Sequence, residues 1–69
     1  MLVKLAGCDD GHTCPAVYAD TEDDAGVVVR GYVVSDRSEL EQLQLPADEG
    51  AVRIPRALML AAMEKMERR

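Results

Sequence analysis

Tryptophan and phenylalanine are absent from this 69-residue chain, and its aromatic residues are Tyr18 and Tyr32 alone. Any core must be assembled from Val, Leu, Ala and Met, without the large rings that dominate core energetics. A chain this short buries only about 60% of the surface that its unfolded form exposes. Natural domains below roughly 70–80 residues usually add a disulfide, a metal or a second subunit. No apolar run approaches the ~20 residues that a bilayer-spanning helix needs. The opening MLVKLAG is too short and too soon interrupted for a signal peptide. The expectation is one small domain over residues 1–69, soluble and cytoplasmic, with no membrane association.

Histidine is nearly absent too, occurring once at His12, and cysteine occurs at Cys8 and Cys14 only. A cysteine nucleophile needs a base that is positioned by a third group inside a pocket. His12 shares a tight loop with both cysteines, with no mass around it to form a cavity. No glycine-rich loop suited to phosphates is present, and the carboxylates at 22–24 form a like-charged run of the kind found on solvated turns. The chain is therefore expected to be no enzyme and to carry no cofactor.

Basic charge is scarce, with eight Lys and Arg against thirteen Asp and Glu and a net charge of −5. Such a surface repels a phosphate backbone, so direct nucleic-acid binding is not expected. The charges are also unevenly placed. Asp9, Asp10, Asp20, Glu22, Asp23 and Asp24 lie in the first third, whereas Arg53, Arg56, Lys65, Arg68 and Arg69 lie near the end. That polarity suits a protein partner with a basic face, and it also serves solubility alone.

The stretch GCDDGHTCP, residues 7–15, gathers what covalent or metal chemistry the chain has. Three readings are open. Cys8, His12 and Cys14 supply three of the four ligands that a structural zinc requires, and Asp9, Asp10 or a second subunit would have to complete the site. A Cys8–Cys14 disulfide would close a tight loop around Gly11 and stabilise by roughly 2 kcal/mol in the chain-entropy model. In a reducing compartment, free thiols are the remaining reading. We expect the cysteines at facing ends of a first hairpin, able to bridge under oxidation but holding no metal in the cell, with His12 exposed.

The chain alternates between two periodicities. Residues 2–6 (LVKLA) and 16–20 (AVYAD) read as strands, and TEDDAG as a solvated turn ending at Gly26. VVVRGYVV, residues 27–34, is the richest in β-branched residues. It reads as one central strand, with Gly31 marking a bulge or a close backbone approach. SDRSELEQLQLP then reads as a short helix, with Ser38 and Glu41 at capping-box spacing and Pro46 as the stop. AVRIP predicts a strand with Val52 and Ile54 inward and Arg53 outward, and Pro55 opens a last helix over about residues 56–68. The order β-β-β-α-β-α predicts an α+β fold: one small antiparallel sheet of about four strands with a C-terminal amphipathic helix.

In that last helix Leu58, Met59, Ala62, Met63 and Met66 share an arc of roughly 140° at about 100° per residue. This is the expected core stripe. Leu60 falls outside it, and Ala57 and Ala61 widen the apolar surface beyond what packing on one sheet requires. Met59, Leu60, Met63 and Met66 are the candidate interface residues, with Met59 and Met63 also readable as core filler. A homodimer is expected, since the core is short of large side chains and methionine adapts to another protein's surface.

The segments CPAVYAD, GVVVRGYVVSD and VRIPRAL together resemble a group of short actinobacterial proteins of unknown function that accompany XRE-type helix-turn-helix regulators. The resemblance spans residues 8–60 and implies no catalytic residues. It implies a protein-protein interaction module, an accessory partner of a DNA-binding transcriptional regulator; the wide apolar face of the last helix is the docking surface expected from its residue pattern. A second phrase, AVRIPRAL, is similar to swapped-hairpin transition-state regulators and antitoxins, which bind DNA as dimers. On that alternative Arg53 and Arg56 would contact phosphates. A small zinc-binding module is the third possibility.

Overall fold

The computed structural model describes residues 1–7 and 14–67. Its elements are the strands β1 (Leu2–Gly7), β2 (Ala16–Asp20), β3 (Asp23–Arg30) and β4 (Tyr32–Val33), then the helix α1 (Arg37–Leu43), the strand β5 (Val52–Arg53) and the helix α2 (Arg56–Glu67). The fold is α+β, with all strand pairs antiparallel. The strands divide between two sheets, one of three in the order β1-β2-β3 and one of two, β4-β5.

The three-stranded sheet is built around β2. Val17 and Ala19 of β2 face α2 and sit opposite Val29 and Val27 of β3. The register of β1 shifts between Lys4 and Ala6. Such a bulge sets two residues against one on the partner strand, so Leu5 and Ala6 both reach the core cluster with Val17. Where the hairpin enters its loop, Gly7 pairs with the fully buried Ala16. A Cβ at Gly7 would stand 2.8 Å from that of Ala16, and the positive φ of 147° further favours glycine there.

Three expectations are corrected in this part of the chain. The turn after β2 is confined to Thr21 and Glu22, and β3 begins at Asp23 rather than after Gly26. Asp23 stays in the ladder opposite Asp20, while Asp24–Gly26 are accommodated by a large register shift. The valine-rich strand is not central: β2 holds the middle position and β3 pairs with β2 alone.

Nor does the valine-rich segment run unbroken to residue 34, because the ladder stops at Gly31. A Cβ there would lie 2.7 Å from Ile54 Cγ2 and 2.8 Å from the Arg53 carbonyl oxygen. The close approach brings the chain alongside β5, where it starts a second sheet. In that sheet Tyr32 pairs with Arg53 and Val33 with Val52. Val52 is largely exposed, against the expectation that it points inward, whereas Ile54 does pack on the core.

Helix α1 begins one residue before Ser38, so the cap is Asp36 and not Ser38. The Glu39 amide donates to the Asp36 carboxylate at 3.0 Å. At the other end Gln44 takes the left-handed conformation and donates its amide to the Leu40 carbonyl. None of the residues from 31 to 55, α1 included, is buried.

Helix α2 crosses β1 and β2. It does so through Leu58 and Ala62, and Ala62 is fully buried because a methyl group lets the helix approach the sheet closely. The buried core is consequently small: Leu5, Ala16, Val17 and Ala62. The accessible surface is 5578 Å², against about 4,250 Å² for a compact monomer of this mass. The radius of gyration is 13.3 Å, against about 11 Å for a compact chain of this length. The excess belongs to a molecule whose second sheet and α1 project without a core of their own.

Candidate protein-interaction surface

Met59, Leu60, Met63 and Met66 are all exposed on α2. This corrects the core-filler reading of Met59 and Met63. Of the α2 residues, Ala62 belongs to the buried core cluster and Leu58 packs against it, while the methionines of the predicted stripe are not part of that cluster. Met66 lines a shallow cavity with Ala19, Asp20, Asp24, Gly26 and Val27. The methionine side of α2 thus continues onto β3, where Val27 and Val28 are also exposed. On the other side, Leu58 and Ala61 form an open groove with Leu5, Pro15 and Pro55.

A second apolar surface was not anticipated. Val33 and Tyr32 are 77% and 62% exposed, more than any large apolar residue of α2. They stand on the two-stranded sheet, flanked by Val52 and Leu43, which are also exposed. Read as part of a continuous central strand, Tyr32 and Val33 would be covered on both sides. The signal that separates them is Gly31, whose neighbours 53 and 54 are distant in sequence. A two-stranded ribbon is at best marginal by itself, and a helix as short as α1 is not stable alone.

Electrostatics ties the ribbon to α1. The Arg53 guanidinium donates to the Glu39 carboxylate. That hydrogen bond, and the charge attraction with it, raises the already high pKa of Arg53. Both groups are solvent-exposed, so the pair orients more than it stabilises. One of the two cations assigned to phosphate contact in the antitoxin-like alternative is therefore already engaged by a carboxylate.

At the opposite end of the sheet, the N-terminal ammonium lies 3.5 Å from Asp20 Oδ1 and 3.3 Å from Glu22 Oε2. The Glu22 amide donates to Asp20 at 2.9 Å. That backbone hydrogen bond, with the terminal ammonium as a smaller contributor, lowers the Asp20 pKa, and partial desolvation opposes it.

Cys14 is disulfide-bonded. Cys8, the other cysteine of the chain, lies outside the described residues, as do His12, Asp9, Asp10 and Gly11. A sulfur in a disulfide is not a thiolate, the form in which cysteine binds metal, so the Cys8, His12, Cys14 zinc set requires the reduced protein. Among the described residues, no group of three or more His, Cys, Asp or Glu is placed to hold a metal. The Cys14 carbonyl accepts two hydrogen bonds from Arg30, from Nε at 3.1 Å and Nη2 at 2.8 Å. No sequence pattern pointed to that clamp.

Among the described residues no helix is long and apolar enough to cross a membrane. No protein-family model, curated protein or solved structure matches the chain.

Proposed function

We propose that this chain is a non-enzymatic protein-protein interaction module, an accessory partner of a DNA-binding transcriptional regulator. One observation carries the reading: its accessible surface, 5578 Å², is about 30% larger than a compact monomer of this mass presents. Exposed apolar side chains occur on both α2 and the β4–β5 ribbon. Exposed apolar patches mark interaction sites in soluble proteins. The resemblance to companions of XRE-type regulators names the partner class to test first.

The β4–β5 ribbon is the surface presented to the regulator. Tyr32 and Val33 are adjacent and the most exposed apolar pair in the second sheet. Tyrosine is enriched among residues that dominate binding energy at interfaces. The net charge of −5 favours association with a protein that carries a basic DNA-binding face.

The test is titration of the purified chain against the XRE-type helix-turn-helix regulators of the same genome, any encoded beside it first. Replacing Tyr32→Ser and Val33→Glu together should weaken binding by about tenfold or more, with the circular dichroism spectrum unchanged. Undiminished affinity in the double variant, or no binding by the parent chain, would overturn this assignment.

A further inference from the structure

Helix α2 buries Leu58 and Ala62 against the sheet and turns its opposite side to solvent. On that side Arg56, Leu60, Met63 and Glu67 follow at spacings of four, three and four. At 100° per residue they fall within an arc of about 60°, centred about 150° around the helix from Leu58 and Ala62. All four are exposed. This is the a/d spacing by which helices pair along a seam. Its middle is apolar, and its ends are one cation and one anion.

The seam is complementary to its own reverse. Laid antiparallel on a second copy, Leu60 meets Met63 of that copy, Met63 meets its Leu60, and Arg56 stands beside Glu67 at each end. A parallel arrangement would instead set Arg56 against Arg56 and Glu67 against Glu67.

We propose that this protein is a homodimer in which α2 packs antiparallel on α2 of the second copy, through Arg56, Leu60, Met63 and Glu67. The twofold axis passes between Ala61 and Ala62. Two further observations support this occupant. Arg56 opens α2 and Glu67 closes it, so within one copy each charge sits at the end of the helix dipole that disfavours it. Antiparallel pairing brings each of these charges an opposite charge and the favourable end of the neighbouring helix. Uncovered apolar area also lies on α2 itself: Leu60 and Met63 are 59% and 45% exposed, with Met59 and Met66 beside them at 42% and 36%. The dimer contact leaves the β4–β5 ribbon free, so the proposal does not depend on the identity of any regulator.

The experiment is sedimentation of the full chain across a concentration series. The expected mass is twice the 7.5 kDa of one chain; a single-chain mass at hundreds of micromolar would overturn the proposal. Met63→Glu, which adds an acid to the middle of the seam on both copies, should return the mass to one chain. A dimer that survives it uses another surface, and the proposal fails. Because Met63→Glu could disturb folding, a second pair of variants keeps the test sharp. Arg56→Glu should weaken dimerisation by about tenfold through two like-charge contacts, and adding Glu67→Arg should restore it. An unchanged dimer in Arg56→Glu, or no recovery in the double variant, would exclude the antiparallel seam.

Discussion

Arg30, at the end of β3, donates two hydrogen bonds to the backbone carbonyl of Cys14, 16 residues earlier in the chain. The guanidinium reaches across from the strand edge to the residue where the loop returns to β2, opposite Ala16 in the ladder. It holds the base of the cysteine-bearing loop to the sheet. Arg30→Ala should cost about 1–2 kcal/mol, since two charge-assisted bonds to a part-buried carbonyl are lost. Arg30→Lys should recover only part of this, because an ammonium does not reproduce the planar fork. Urea denaturation of the three proteins checks the order.

Reducing the protein should destabilise it. Cys14 is disulfide-bonded, and Cys8 is the one other cysteine available to it within the chain. The loop so closed is short, and its constraint is worth roughly 2 kcal/mol. Thiol titration in denaturant should find no free thiol before reduction and two afterwards, with a lowered melting temperature. Two free thiols in protein purified under oxidising conditions would contradict the pairing.

Gly31→Ala should destabilise by about 1–3 kcal/mol, the usual cost of overpacking. The new methyl would approach the Arg53 carbonyl oxygen to 2.8 Å and Ile54 Cγ2 to 2.7 Å. The side chain of Ile54 can rotate away, but the carbonyl belongs to the β5 backbone. Relief therefore means moving the ribbon, and the variant should also lose regulator binding. Thermal melts and the same titration would read both effects.

Asp36→Ala should cost about 1 kcal/mol, because it removes the acceptor for the Glu39 amide in the first turn of α1. Ser38→Ala, one position inside the helix, should stay within about 0.5 kcal/mol as an ordinary surface change. Equal effects at the two positions would mean that the helix starts elsewhere. Chemical denaturation of both variants provides the comparison.

Asp20 gives the fold a dependence on pH. Its folded pKa lies below the ordinary value for an aspartate, chiefly through the hydrogen bond from the Glu22 amide. A depressed carboxylate stabilises the fold above its unfolded pKa, and that contribution disappears as pH falls through the folded value. Asp20→Asn should therefore melt below the parent at pH 7, and the gap should narrow as pH falls through the ordinary carboxylate range and close below the depressed folded pKa. A constant gap across the range would assign the effect to shape and not to charge.

The α+β class and, apart from the break at Gly31, the order of elements were legible in the sequence, because the short apolar runs LVKLA and AVYAD bounded by turn residues and the 3.6-residue period after Pro55 are local signals. Gly31 could be marked as a place of close approach on the same grounds. What it approaches could not, since the Arg53 carbonyl and Ile54 come from a segment more than twenty residues later. That single contact divides the strands into two sheets and leaves Tyr32 and Val33 in solvent. Helical periodicity likewise shows which residues of α2 share an arc, and it placed Leu58, Met59, Ala62, Met63 and Met66 together. It does not say which part of that arc meets the sheet. Tertiary packing decided it: the helix settles where Ala62 allows the closest approach to Leu5 and Val17, and a sheet of three narrow strands covers no more than that. The methionines are left outside by the width of the sheet, a quantity that no local pattern encodes.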